Sequence, residues 1–92
     1  MVFMIHFSDE ARLDLYDFRD YYSKISIESL IKFDQSFTNA VARLESNTEN
    51  FQKRYRDIRL IIMNVFPYSI HHIQENQTVY IQRVLHQKQI YE

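Results

Sequence analysis

The fold is decided by the last third of the chain, in which residues 58–89 read IRLIIMNVFPYSIHHIQENQTVYIQRVLHQKQ. Apolar residues alternate with others along two runs, 58–73 and 78–85, and this period of two is typical of β-strands. The polar residues 74–77 between the runs predict a hairpin turn with Asn76 at its tip, because asparagine tolerates the left-handed backbone region.

Pro67 is the only proline of the chain, and it interrupts the first of these runs. Because proline has no backbone N–H to donate to a strand ladder, we expect Pro67 at a strand start or a bend. The run is thereby divided into two, and strands are predicted near 58–64, 67–74 and 78–86.

The first half of the chain begins with a short strand-like segment, residues 2–7, and then has helical periodicity. Ser8 provides an N-cap for a first helix that ends near Lys24, and Ser26 opens a second helix that runs to about Glu45. The predicted buried faces are Ala11, Leu15, Phe18 and Tyr22 in the first helix and Leu30, Phe33, Phe37, Val41 and Leu44 in the second. With only two or three residues between them, the helices should pair as an antiparallel hairpin.

The order of the predicted elements is β-α-α-β-β-β, with residues 51–57 interpreted as a polar, basic loop before the second strand. We therefore predict an α+β fold in which an N-terminal helical hairpin packs on a mostly antiparallel four-stranded sheet. The length of 92 residues corresponds to one domain, 1–92.

The chain contains no cysteine and no glycine. Without cysteine there is neither a disulfide framework nor a thiolate metal site. Without glycine there is no Walker loop or dinucleotide-binding fingerprint, since both need glycine where the backbone meets phosphate. His71 and His72 form a poor metal site, because neighbouring strand residues face opposite sides of a sheet. We therefore expect neither a cofactor nor a metal.

No segment of the sequence indicates a membrane-bound or secreted protein. Residues 1–7 are too short for a signal peptide, and no stretch approaches the roughly 20 apolar residues that a bilayer requires. Together with the absence of cysteine, this predicts a cytoplasmic protein with no membrane partner.

Charge is distributed unevenly along the chain. Residues 1–50 contain five Lys or Arg and nine Asp or Glu, whereas residues 51–92 contain six and three. The basic second half predicts a surface that contacts an acidic partner or an anion. Candidates for this contact are Lys53, Arg54, Arg56, Arg59 and Arg83. The alternative for the first three is an ordinary solvated loop. The alternative for the last two is a surface ion pair with Asp57 or Glu75.

Four motifs, taken in chain order, resemble the ParE/RelE superfamily of bacterial type II toxin–antitoxin toxins. They are Ile5–Leu15 with the pattern S-x-E-A-x-x-D-L, Tyr21-Tyr22 at the end of the first helix, Ile58-Arg59 with Phe66-Pro67-Tyr68-Ser69-Ile70 in the second and third strands, and Val79–Lys88 with the exit V-x-H-x-(R/K). The resemblance covers essentially the whole chain, and F-P-Y and V-L-H are more similar to the ParE branch than to the RelE branch.

The resemblance implies a toxin that a cognate antitoxin neutralises, with a homodimer or a toxin–antitoxin hetero-oligomer as the assembly. ParE-like members are associated with inhibition of DNA gyrase, whereas RelE-like members cut messenger RNA on the ribosome. Because one fold carries both activities, the fold cannot decide between these targets. A third alternative is a member that has lost toxicity and acts only as a binding module.

A metal-independent ribonuclease would need a base for the 2′-hydroxyl, cations for the phosphorane and an acid for the leaving 5′-oxygen. His86 is the candidate base, because histidine ordinarily titrates near neutrality; the alternative is a strand-end histidine that is hydrogen-bonded to backbone. The residues available for this chemistry are His86, Arg83, Arg59, Lys88 and Tyr91.

Three features favour the ParE-like alternative over the nuclease. RelE-like enzymes typically carry an arginine where this chain has Tyr68-Ser69-Ile70, and their C-terminal tail is more basic than residues 87–92. The sequence pI of about 6.4 is also low for a protein that must bind ribosomal RNA, where phosphate contacts dominate affinity. We therefore expect a toxin that acts on gyrase by protein contacts, without catalysis of its own.

Overall fold

The structure of the protein is a computed structural model that describes residues 4–47, 53–55 and 58–88. The elements in chain order are β1 (Met4–Phe7), α1 (Asp9–Ile25), α2 (Ile27–Asn47), β2 (Lys53–Tyr55), β3 (Ile58–Ile62), β4 (Tyr68–Glu75) and β5 (Thr78–His86). The predicted α+β fold, with two helices following the first strand and a mostly antiparallel sheet, is confirmed. No helix of the described residues is long and apolar enough to span a membrane.

The described strands form one mixed sheet in the order β1-β5-β4-β3-β2. The ladders β2/β3, β3/β4 and β4/β5 are antiparallel, and β1 runs parallel to β5. Parallel neighbours need a long crossover connection. Here the helical hairpin and three strands intervene between β1 and β5, so the first strand of the chain lies beside the last.

The strand β2 is the main departure from the predicted elements. The sequence predicts a loop over residues 51–57, but Lys53–Tyr55 pairs with β3, so the sheet has five strands rather than four. Three polar or aromatic residues are too few to carry a period-two signal, and only the neighbouring strand identifies them as an edge strand. Residues 51, 52, 56 and 57 of the predicted loop lie outside the described residues.

Ser26 is the single residue between the two helices. Its backbone N–H donates to the carbonyl of Tyr22 at 3.2 Å, and its hydroxyl accepts from the N–H of Ser29 at 3.0 Å. One extended residue thus satisfies the last turn of α1 and the first turn of α2. This connection is one residue shorter than the shortest that the sequence predicts.

The core lies between the helical hairpin and one face of the sheet. Ala11, Phe33 and Leu44 from the predicted helical stripes are fully buried, and Ile70 and Val84 are fully buried on the facing strands. A cluster of rings occupies the centre, in which contacting rings have centroids between 4.3 and 6.3 Å apart, and its members are Phe18, Tyr22, Phe33, Phe66 and Tyr68. The aromatic residues of the sequence are in this region core rather than surface.

Two described residues have a left-handed backbone. Asn76, with φ of 57°, is at the hairpin tip between β4 and β5, as the sequence predicts. The other is Val65, with φ of 74°, in the connection between β3 and β4. This conformation is unfavourable for a β-branched side chain, and the side chain of Val65 is 95% exposed.

Ser8 joins the start of α1 to β5. Its hydroxyl accepts from the N–H of Ala11 at 3.0 Å and donates to the carbonyl of Gln82 at 2.7 Å. Its backbone N–H donates to the carbonyl of Ile81 at 2.9 Å. The predicted N-cap is therefore also a tertiary contact with a strand more than seventy residues away.

We expect the Ser8→Ala variant to lower the free energy of unfolding by about 1–2 kcal/mol, because it removes both the cap and the bond to Gln82. Urea denaturation followed by circular dichroism measures the change. Ser23→Ala is the matched control: Ser23 is exposed in α1, and its hydroxyl donates to the carbonyl of Asp20 within the same helix. Equal losses in the two variants would show that the contact with β5 contributes nothing.

Candidate functional site

The best-defined polar contact of the structure joins α1 to β5 through Asp14 and Arg83. The Nε and one Nη of Arg83 donate to the two carboxylate oxygens of Asp14 at 2.8 and 3.0 Å. Asp14 also accepts from the backbone N–H of Val84 at 2.9 Å, and the other Nη of Arg83 lies 3.7 Å from Glu10. Both side chains of the main pair are largely buried, with 15% of Asp14 and 21% of Arg83 exposed. Arg83 is thus held in a bidentate geometry inside the protein.

A β-bulge in β5 shapes the strand at this contact. His71 of β4 pairs with Arg83, but the next residue, His72, pairs with Ile81, so Gln82 is an extra residue in β5. The carbonyl of Gln82 accepts a hydrogen bond from the hydroxyl of Ser8. The backbone N–H of Val84, two residues further along the strand, donates to the carboxylate of Asp14. The bulge therefore occurs where β1 ends and where Ser8 and Asp14, at the start of α1, hydrogen-bond to the outer edge of β5.

The partner of Arg83 differs from those considered in the sequence. The sequence suggests Asp57 or Glu75, whereas the structure places Asp14 and Glu10 against the guanidinium; Asp57 lies outside the described residues. Both acids belong to the motif S-x-E-A-x-x-D-L in residues 8–15. The motif marks Glu10 and Asp14 as notable positions in the sequence. No local pattern, however, connects Asp14 with an arginine 69 residues away.

Arg59 is not a neighbour of Arg83 across the sheet. Arg59 is half-buried on β3 and pairs with His72 of β4, and β4 separates β3 from β5. Lys53 and Arg54 lie on β2, where Lys53 pairs with Arg59. Arg56 lies outside the described residues. Of the proposed basic contact residues, Lys53 and Arg59 are therefore partners in the β2/β3 backbone register, and Arg83 lies on the other side of β4.

His86 ends β5 with its ring engaged on two sides. Its Nδ1 accepts from the backbone N–H of Lys88 at 3.1 Å, and its ring meets that of Tyr68 edge-on with centroids 5.5 Å apart. Burial raises the pKa of the Tyr68 hydroxyl, with a further rise from its bond to Tyr22, so the phenol stays protonated. Lys88 is exposed just beyond His86, and Tyr91 lies outside the described residues.

His71 and His72 are buried in β4 rather than displayed to solvent. His71 is 7% exposed with its Nε2 3.1 Å from the hydroxyl of Ser69, and His72 is fully buried. Burial lowers the pKa of each to about 4, assisted by Arg83 for His71 and by Arg59 for His72. Both rings are therefore neutral at pH 7. Within residues 4–47, 53–55 and 58–88, no group of three His, Asp or Glu side chains is arranged to hold a metal ion.

We expect Asp14→Ala to destabilise the protein by about 2–4 kcal/mol, because it leaves the N–H of Val84 and a largely buried guanidinium without their carboxylate. Equilibrium urea unfolding measures this value. The matched control is Asp34→Ala, which removes an equally bidentate pair with Arg19 that is 42–50% exposed. The control should change stability by less than about 1 kcal/mol. Similar values for both variants would contradict a special role for the buried pair.

The two buried histidines predict that the protein loses stability on acidification. Their folded-state pKa values lie below the ordinary 6.5, so the unfolded chain binds more protons between pH 6.5 and about 4. The stabilisation is complete above pH 6.5 and is lost as the pH falls toward 4. The difference between 6.5 and 4 corresponds to roughly 3 kcal/mol for each histidine.

Urea unfolding at a series of pH values between 7.5 and 4.5 would measure this loss. A His72→Leu variant, which keeps an apolar side chain at the buried position, should show about half of the histidine-dependent decrease. An unchanged pH dependence in that variant would contradict the assignment to His72.

A solved structure from the chromosomal ParDE toxin–antitoxin system of P. aeruginosa matches with a TM-score of 0.77 and 18% sequence identity, over 92% of this chain and 96% of that chain. No curated protein matches the sequence significantly. The family model that describes the ParE toxin of the type II toxin–antitoxin system parDE matches residues 5–91. Because that match covers nearly the whole chain, this protein belongs to the ParE toxin family of type II toxin–antitoxin systems.

Proposed function

We propose that this protein inhibits DNA gyrase by binding to it and that a cognate antitoxin neutralises it. Membership of the ParE family supports a role as the toxin of a type II pair. The similar solved structure comes from a ParDE toxin–antitoxin system, which supports an antitoxin partner for this chain as well.

The observation that carries the proposal is the state of Arg83. A nuclease would need this cation to face a phosphate, but its Nε and one Nη are directed at Asp14 and the other Nη lies near Glu10. Guanidinium groups that stabilise a phosphorane must be oriented toward the developing charge. Arg83 is instead oriented toward the protein interior, where it stabilises the packing of α1 on β5.

The geometry of His86 supports the same conclusion. A general base must present a nitrogen with an available lone pair to the 2′-hydroxyl. The Nδ1 of His86 already accepts from the N–H of Lys88, so the neutral ring carries its proton on Nε2. In this tautomer Nε2 is a donor. The arrangement suits a strand-end contact better than proton abstraction.

We assign the acidic-partner contact to the basic residues of the segment 53–59, namely Lys53, Arg54, Arg56 and Arg59. A cluster of basic charges accelerates and orients association with an acidic protein surface. Arg83 contributes to this function by positioning α1 rather than by touching the partner.

We expect the purified protein to inhibit gyrase supercoiling at low micromolar concentration and the antitoxin to restore supercoiling. His86→Ala should keep this inhibition, because the proposal gives the ring no catalytic role. Supercoiling of relaxed plasmid measures the inhibition, and primer extension on translated messenger RNA checks for cleavage in parallel.

Lys24→Ala provides the matched control, because Lys24 is an exposed cation of α1 that pairs with Asp20 and has no part in either proposed chemistry. Unaffected supercoiling together with messenger RNA cleavage that His86→Ala abolishes would replace the proposal with the ribosome-dependent nuclease. Normal growth after induction without antitoxin would instead identify a non-toxic binding module.

A further inference from the structure

The outer edge of β1 is an unpaired sheet edge among the described strands. The sheet has the order β1-β5-β4-β3-β2, so β1 has a neighbour on one side only. The backbone N–H groups of Met4 and Ser8 donate toward β5 at 2.9 Å. Because alternate residues of a parallel strand bond to the same neighbour, Ile5 and Phe7 direct their N–H and C=O groups away from β5. A further strand would find its hydrogen-bonding partners at these two residues.

The sequence of β1 lacks the features that ordinarily protect such an edge. Edge strands of soluble proteins usually carry a charged side chain, a proline or a bulge that prevents pairing with another chain. β1 reads Met-Ile-His-Phe, without Lys, Arg, Asp, Glu or Pro, and its register with β5 is regular from Met4 to Phe7. An edge of this kind favours the addition of a strand from another protein, the binding mode called β-augmentation.

A groove adjoins this edge on the helical side of the sheet. It has a volume of about 400 Å³ and is lined by Phe7, Arg12, Leu15, Tyr16 and Arg19. Phe7 thus belongs both to the edge and to the groove. The four helical residues are three or four positions apart in α1 and therefore share one face of the helix. A strand added to β1 would lie about 4.8 Å from it, which brings the helix-facing side chains of that strand to the groove.

The charge of the groove indicates the chemistry of its occupant. Among the described residues, its charged lining consists of two arginines and no acid. Arg19 is paired with Asp34, whereas Arg12 makes no ion pair with any residue that the structure describes. Arg12 is exposed, and its guanidinium is suited to a bidentate bond with a carboxylate. The rest of the lining is apolar or aromatic, which fits an apolar side chain beside that carboxylate.

We propose that an extended segment of the cognate antitoxin adds as a strand to the outer edge of β1 and places a carboxylate against Arg12. On the proposed function, on which this inference rests, the antitoxin is the partner that covers the toxin until it acts. An unprotected edge needs such a lasting cover, because it would otherwise pair with other chains. β1 and β2 are the two opposite edges of the described sheet, so this surface is distinct from the basic segment 53–59.

Affinity for the antitoxin tests the contact at Arg12. The probe is the purified protein encoded by the reading frame beside this gene, titrated into the full chain by isothermal calorimetry. Arg12→Glu should weaken binding at least ~10-fold, because it places like charges together in the groove. A glutamate in the first turn of α1 is compatible with the helix dipole, so the variant keeps its fold. Lys24→Glu is the matched control: it makes the same charge change on α1 outside the groove and should leave the affinity within ~2-fold.

Amide hydrogen exchange, followed by NMR, tests the added strand itself. In the free protein the N–H groups of Ile5 and Phe7 face away from β5 and should exchange rapidly. Binding of the same antitoxin should slow their exchange at least ~10-fold, because each would then donate within a ladder. The N–H of His6, which faces β5 by the alternation of the strand, is the internal reference and should change less.

The possible results distinguish a wrong binding site from a wrong function. Unchanged affinity of Arg12→Glu, or Ile5 and Phe7 amides that gain no protection in the complex, would overturn the added strand and leave the proposed function intact. Loss of gyrase inhibition by Arg12→Glu with full affinity for the antitoxin would overturn it in favour of the target as occupant. A wild-type protein that does not bind the antitoxin would contradict the proposed neutralisation and the added strand together.

Discussion

The carboxylate of Asp14 is the interaction on which the arrangement of this fold depends. It accepts three hydrogen bonds from β5, two from Arg83 and one from the backbone of Val84, at 2.8–3.0 Å. Because β1 ends at Phe7, the outer edge of β5 beyond that point needs another element to satisfy its backbone groups. Ser8 and Asp14 provide this at the start of α1, and the bulge at Gln82 adapts the strand to them. Once α1 is held there, its apolar face lies over the sheet and α2 follows through the one-residue connection at Ser26.

The same interaction determines which chemistry the chain can offer. Arg83 could stabilise the charge of a phosphate, but in this structure it holds α1 against β5. The two histidines of β4 are neutral because burial lowers their pKa values. Of the residues that the sequence presents as candidates for catalysis, Arg83 thus stabilises the packing of α1 on β5, and His86 is engaged at the end of β5. In our proposal, the basic residues in the sequence of β2 and β3 contact an acidic protein partner. On that proposal, the toxin acts by protein contact.

The features predicted correctly from the sequence are those that arise from residues close together in the chain. Asn76 adopts the left-handed turn because its neighbours are two strands that must reverse direction, and asparagine is one of few residues without strain there. Ser8 and Ser26 cap helices because their hydroxyls reach N–H groups three residues ahead. The strand β2 escaped prediction because three residues carry no periodicity, and Val65 because nothing in the sequence distinguishes its backbone from that of an ordinary loop residue.

The sequence alone was therefore sufficient to predict the α+β class, the helical hairpin, the three C-terminal strands and the superfamily. These depend on periodicity, capping and turn chemistry, each of which acts over a few residues. The roles of individual side chains could not be predicted from such local patterns. Arg83 could equally have faced a phosphate, an acidic partner or Glu75, and only the packing of α1 against β5 selected Asp14, 69 residues away. The strength of an interaction between charges depends on their distance and burial, and tertiary structure sets both. The packing of α1 against β5 therefore determined the role of Arg83.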